Sequence, residues 1–292
     1  MAPRSSTFRS SPGGYTLIEI VVVMAILSIL GTLTFSALSG AAKLSKIEST
    51  EFMINKLNDA ILDWYEEYED EARPGGLWNL RRKMREELPD SWAEVSGGAN
   101  ARTPETPAGR AYATYRAIGA AHDNFTKYQS AECLYMIITR SGRFPDFVES
   151  IQPGQVGDID ADGLFEFWDG WERPIAFFRW APGFSPFSII QNETATGDPF
   201  DISEEDPSAF PLFPLIYSPG PDEAMNDPLS GPDGYGLVTA SAGWPDAAFQ
   251  PQASGASPIV SFNPGSGIVG APKTDNPTAY VDNITNHALM AE

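Results

Sequence analysis

From Ile20 to Leu38 the chain runs for 19 residues without a charge or a proline. At about 1.5 Å per residue, a helix of that length approaches the ~30 Å hydrocarbon core of a bilayer. The residue just before the run is Glu19, and an ionised side chain in a membrane-embedded helix costs at least ~2.5 kcal/mol on insertion scales. The pattern therefore predicts an N-terminal membrane helix whose first carboxylate needs a cation from elsewhere.

Ahead of the run stand Arg4 and Arg9, then Gly13-Gly14, then Tyr15-Thr16-Leu17-Ile18-Glu19. Over about residues 9 to 40 this resembles the class III signal of type IV pilins and type II secretion pseudopilins. The resemblance implies that a membrane-embedded prepilin peptidase and methyltransferase cuts between Gly14 and Tyr15 and methylates the new N-terminus. Glu19 would then be the fifth mature residue, and Tyr15 keeps a ring where the family usually has phenylalanine. The freed α-amine of Tyr15 in one subunit can pair with Glu19 of its neighbour and set their axial register. On this reading the protein is a non-enzymatic subunit of a type IV pilus-like or type II secretion pseudopilus filament. Its partners are other pilin or pseudopilin subunits, the processing enzyme and the membrane. Its place is the bacterial inner membrane, crossed once, with the leader cytoplasmic and the rest extracytoplasmic, as Arg4 and Arg9 require.

Two other readings compete. An ordinary secretory signal could use Arg4 and Arg9 as its basic region and Ala37-Leu38-Ser39 as its cut, but the apolar run exceeds the usual ~7 to 15 residues. A plain single-span anchor carrying an extracytoplasmic binding domain or enzyme explains the length and leaves Glu19 without a role.

The charge balance, 19 Lys and Arg against 39 Asp and Glu, gives −20, or −22 once the two leader arginines are removed. Such a chain is excluded as a nucleic-acid binder by charge and is suited to holding cations on clustered carboxylates. Cys133 is the single cysteine, so no internal disulfide can form, and its setting, Ala131-Glu132-Cys133-Leu134-Tyr135-Met136-Ile137, reads as a buried helix face with an inert thiol. No Ser-His-Asp order, histidine pair or phosphate loop suggests catalysis. The two histidines, His122 and His287, belong to no metal spacing and are expected at the surface.

Beyond the span, Ile47, Ile54, Ile61 and Tyr68 recur every seven residues, with Leu57 and Trp64 three after two of them. One helical stripe is apolar and the remainder charged, so the helix continues as an amphipathic spine until Pro74-Gly75-Gly76. From Tyr15 to about Asp70 it would extend roughly 80 Å. Further helices are expected over Leu77–Leu88, Arg110–Ala121 and Thr126–Arg140, with a loop from Ser96 to Gly109. Short strands are expected at Ile175–Trp180, Leu212–Ser218, Tyr235–Thr239 and Ile259–Phe262, followed by an irregular tail from Ala240. Trp168, Trp171, Phe177, Phe178 and Trp180 are dense enough to predict core packing between sheet and spine. The fold class is α+β, a long N-terminal helix packed on a small antiparallel sheet with extra helices and irregular loops. Its segments are a leader (1–14), a membrane helix (15–39), the amphipathic spine (40–73), a mainly helical insert (74–157) and a loop-rich β head (158–292).

One loop carries a metal pattern. Asp158, Asp160 and Asp162 with Gly163 and Asp169 match the Asp-x-Asp-x-Asp-Gly spacing with an acid at the twelfth position. Alternate side chains can converge on Ca2+ there while glycine makes the turn. Asp169 is shorter than the usual glutamate, no helix pair is evident around the loop, and Glu166 is an alternative ligand. A metal-free acidic turn is the competing reading. Asp169-Gly170-Trp171-Glu172-Arg173-Pro174-Ile175 is similar to the stretch that begins the C-terminal strands of major pseudopilins, and Tyr217 to Asp222 is similar to the turn that follows. In that group a C-terminal loop holds calcium, and here Asp222, Asn226 and Asp227 are the matching residues, with Asp233 in competition.

Overall fold

The computed structural model describes residues 15–97, 103–181, 183–184, 188, 190–191, 198–203, 211–221, 237 and 283–290. The chain divides into two compact units, Met1–Ser45 and Lys46–Glu292.

In the first unit every residue from Tyr15 to Ser45 is exposed, and from Leu17 onward all are helical. These residues form the start of α1, Leu17–Glu71, which is 55 residues long and apolar enough near its N-terminus to cross a membrane. Hydroxyls in its apolar part bond back along the helix itself. The hydroxyl of Ser28 donates to the Met24 carbonyl at 2.7 Å, that of Thr34 to Leu30 at 2.9 Å, and that of Ser36 to Leu33 at 3.0 Å. A segment in hydrocarbon has no water for these groups, so bonding back to the helix suits them to that environment.

In the second unit the expected stripe is the buried one. Ile54, Leu57, Ile61, Trp64 and Tyr68 are almost fully enclosed, and Ile47 is half-buried. They join one large core cluster with Met84 and Leu88 of α2 (Leu77–Glu87), Tyr112 and Tyr115 of α3 (Pro107–Gly119), and Cys133, Leu134, Met136, Ile137 and Ile138 of α4 (Gln129–Arg140). Each such large apolar side chain contributes about 1.5–3 kcal/mol through burial. Helix α3 begins earlier than the apolar pattern indicates because Thr106 caps it, accepting from the Gly109 N–H at 3.0 Å, and Pro107 fits its first turn. A short helix, α5 (Pro145–Glu149), follows α4 and was not expected.

Two small antiparallel sheets follow. Strands β1 (Val156–Gly157) and β2 (Glu166–Phe167) form a ribbon that pairs Gly157 with Glu166. Strands β3 (Ala176–Phe178), β4 (Leu215–Ser218) and β5 (Ile284–Thr285) form the second sheet, with Phe177 opposite Ile216 and Tyr217 opposite Thr285. Alternation of side chains along the strands divides them between two cores. Phe177 and Ile216 join the α1 cluster, whereas Ala176, Phe178, Leu215 and Tyr217 pack with Ala181, Phe184 and Leu237. Phe177, Phe178 and Trp180 are thus core residues, while Trp168 and Trp171 are only half-buried.

Part of the expected irregular tail is ordered. Strand β5 leads directly into a short helix, α6 (Asn286–Leu289), capped by the Thr285 hydroxyl. The strand expected at Ile259–Phe262, all of Tyr235–Thr239 except Leu237, and the residues Asp222, Asn226, Asp227 and Asp233 lie outside the described residues.

Direct bonds join α1 to the β region within the second unit. The Gly170 N–H donates to Thr50 Oγ1 at 2.9 Å, and the Tyr65 hydroxyl donates to the Arg179 carbonyl at 2.8 Å. Gly170 is required for the first contact, since a Cβ there would lie 2.4 Å from the Lys46 carbonyl oxygen. A buried ion pair holds the other side of β3. Arg179, almost fully enclosed, donates from Nη1 to Glu94 Oε2 at 2.8 Å and from Nη2 to Glu94 Oε1 at 3.0 Å.

Candidate functional sites

The acidic loop folds around its first aspartate. Asp158 accepts from the Asp162 N–H at 3.2 Å and from the Gly163 N–H at 2.9 Å, while Asp162 accepts from the Leu164 N–H at 2.8 Å. Ala161 and Gly163 take positive φ, 59° and 90°, to turn the chain so tightly. The β1–β2 pairing then carries Glu166 back beside the start of the loop, where it accepts from the Ile159 N–H at 3.3 Å.

Two groups of carboxylates converge here, and Asp160 belongs to both. Asp158, Asp160 and Glu166 form one group and Glu132, Asp160 and Asp162 the other, each with ligand oxygens within 4.8 Å of one another. Glu132 was not singled out from the sequence. Its signal was an acid set inside the apolar face of α4, where its neighbours Ala131, Cys133 and Leu134 are buried. The Trp92 indole N–H donates to its Oε2.

Asp169, expected as the twelfth-position ligand, belongs to neither group. Its Oδ1 accepts from the Trp171 N–H at 2.7 Å and the Arg173 N–H at 3.0 Å, and its Oδ2 accepts from the Ser218 hydroxyl at 2.6 Å. The carboxylate is spent on closing the turn before β3 and tying it to β4. A helix after the loop would swing the twelfth residue back toward the metal position; a strand follows instead, and Glu166 takes the inward place.

The electrostatics reflect crowding. Burial pushes the Glu132 carboxyl up to about 10, tempered by the Trp92 bond and reinforced by Asp162, Glu166 and Asp160. Burial likewise raises Glu166 to about 8 and Asp160 to about 6, with neighbouring aspartates adding repulsion. Among the described residues no cation of the chain forms an ion pair with any of the five.

The histidines divide. His122 is exposed, as expected, and His287 is not: it is 1 % exposed, with Nδ1 at 2.9 Å from Ser188 Oγ and Nε2 at 3.1 Å from the Pro214 carbonyl. Docking of α6 beside β4 encloses it, a contact across 73 residues that local composition cannot show. Cys133 is fully buried, and burial pushes its thiol well above the usual range, in keeping with an inert packing role.

At the N-terminus, Gly14 lies outside the described residues, while Tyr15 and Glu19 are exposed. Thr16 and Glu19 form a reciprocal cap on α1. The Thr16 N–H and hydroxyl donate to Glu19 Oε2 at 2.8 and 3.0 Å, and the Glu19 N–H donates to Thr16 Oγ1 at 3.3 Å. The spacing Thr16-x-x-Glu19 is the sequence signature of such a box. Glu19 Oε1 takes part in none of these bonds.

Residues 9–35 match the family model described as the prokaryotic N-terminal methylation motif. No curated protein and no solved structure matches the chain. The match covers the stretch from Arg9 through the capped start of α1 and into its apolar run, so the N-terminus of this chain is a prepilin-like methylation signal.

Proposed function

We propose that the protein is a structural subunit of a type IV pilus-like or type II secretion-like filament. A prepilin peptidase would cut it after Gly14 and methylate Tyr15. The observation that carries this reading is the placement of Glu19, five residues beyond Gly14 and one residue before a fully exposed apolar helical run. A helix this apolar is stable only in lipid or against other helices. Glu19 has one oxygen committed to the cap and a second available to the α-amine that cleavage creates on a neighbouring Tyr15. Pairing in a low-dielectric filament core would specify register more than it adds stability.

Arg4 and Arg9 ahead of the apolar run support a cytoplasmic leader, and on this reading the second unit would stand outside a bacterial inner membrane. Other subunits of the same class and the processing enzyme are the partners this implies, and the role is structural rather than catalytic. Mass spectrometry of the purified mature protein should find an N-terminal methylated Tyr15. A mature start near Ser39 or Gly40 would replace this reading with an ordinary secretory signal.

A further inference from the structure

The carboxylate groups around Asp160 present a chemical problem that the chain does not solve by itself. Glu132, Asp162 and Glu166 are each 0 % exposed, and Asp158 and Asp160 are half-buried. Burying carboxylates is costly without a counter-charge or a full set of hydrogen bonds. Yet Glu132 Oε1, Asp162 Oδ2, Glu166 Oε1 and both oxygens of Asp160 accept no hydrogen bond. Within the same unit the chain satisfies comparable groups completely: Glu94 has the bidentate Arg179, and Asp169 has three donors. The free oxygens gather in one place, and they come from two separate elements, α4 and the 158–166 segment.

We propose that Glu132, Asp158, Asp160, Asp162 and Glu166 form a binding site for a hard divalent cation of calcium's class, with Asp160 at its centre. All five ligands are carboxylates, which excludes softer metals that favour nitrogen or sulfur. An irregular cage of five carboxylates, able to bind through one or both oxygens, fits the larger and more flexible shell of calcium better than the strict octahedron of magnesium. The hydrogen bonds to Asp158, from the Asp162 and Gly163 amides, shape the loop, while Asn124 fastens it from outside by donating Nδ2 to the Asp160 carbonyl at 2.6 Å. The cation would clamp α4 to the loop. Because Trp92 bonds to Glu132 and Trp92 itself lies in the main core, the clamp reports directly on the packing of the helical insert. The site owes nothing to the N-terminal signal and stands or falls separately from it.

The test uses the full chain in detergent micelles, with melting followed in EDTA, in 5 mM calcium and in 5 mM magnesium. Calcium should raise the melting temperature above the EDTA value by about 5–10 °C, and magnesium by less than half of that. Asp160→Asn should abolish the calcium shift, and Glu132→Gln should weaken calcium binding about tenfold by calorimetry. In EDTA both variants should melt at or above the parent, because each replaces a carboxyl group that has unpartnered buried oxygens with a neutral amide, and this separates lost binding from lost folding. No calcium shift, an equal magnesium shift, or a shift that survives Asp160→Asn would each overturn the proposal, the last by locating the binding on the acidic surface at large.

Discussion

Asn286, six residues before the last of the sequence, donates its side-chain Nδ2 to Oδ1 of Asn58 on α1 at 2.7 Å, and both side chains are buried. The same nitrogen donates to the Pro214 carbonyl at 2.8 Å, and Asn286 Oδ1 accepts from the Ile216 N–H at 2.9 Å. One amide thus joins the spine helix, the approach to β4 and the end of the chain. Asn286→Ala would strand three buried partners at once, and a loss of about 2–3 kcal/mol is expected. Urea unfolding in detergent should show a lowered midpoint, with Asn58→Ala costing less, since it strands one group.

His287, beside it, makes stability depend on pH. Burial lowers its pKa to about 4, so the ring is neutral in the fold and charges more readily in the unfolded chain. The folded state therefore holds its advantage above the ordinary value of about 6.5 and loses it as pH falls toward 4. Between pH 7 and pH 5 the expected loss is about 2 kcal/mol. His287→Gln keeps hydrogen-bonding capacity and cannot charge. The gap in stability between parent and variant should narrow or reverse toward pH 5, as read by denaturant midpoints at the two pH values.

The Arg179–Glu94 pair is a buried contact whose partners cannot be removed singly. Despite its burial, Glu94 is held charged and its pKa lowered by Arg179 and Arg85, while burial pushes nearby Asp90 up to about 6. Arg179→Met would leave Glu94 enclosed with Arg85 as its remaining cation and would strand the Leu88 carbonyl, and a cost of about 2–4 kcal/mol follows. Calorimetric melting of the variant measures it, and an unchanged transition would show that the pair can be dispensed with.

Gly170 tests the close approach of the β3 turn to α1. In Gly170→Ala the new methyl would meet the Lys46 carbonyl oxygen at 2.4 Å and its Cα at 2.7 Å, both backbone atoms that cannot swing away. A loss of about 1–3 kcal/mol is expected. Gly154→Ala, where nothing lies within 4 Å, is the control and should change stability by no more than about 0.5 kcal/mol.

Glu19 has two separable roles, cap and charge. Glu19→Gln retains an oxygen for Thr16 and removes the charge, whereas Glu19→Ala removes both. If the proposed pairing with Tyr15 holds, both variants should remain in the membrane fraction and both should assemble poorly, as judged by filament yield from sheared cells. Normal assembly of Glu19→Gln would assign the residue to capping alone.

Local patterns made the first half of the architecture legible. A 19-residue uncharged run, a carboxylate at its head and apolar residues at helical spacing each act over one or two turns, and they specified α1, its exposed beginning and its buried stripe. Strands β1, β2 and β5 were missed because two residues carry no period; they exist only through their partners. The acidic spacing brings Asp158, Asp160 and Asp162 into one loop for the same local reason, whereas the direction of Asp169 depends on the strand that follows. Linear order therefore determined the membrane helix, its signal and the acidic loop. Tertiary structure alone decided that Glu132 faces Asp160, that Glu166 rather than Asp169 lies beside Asp158 and Asp160, and that Asn286 and His287 are buried. Those outcomes rest on contacts between residues far apart in the chain, whose energies arise only when the elements that carry them have packed.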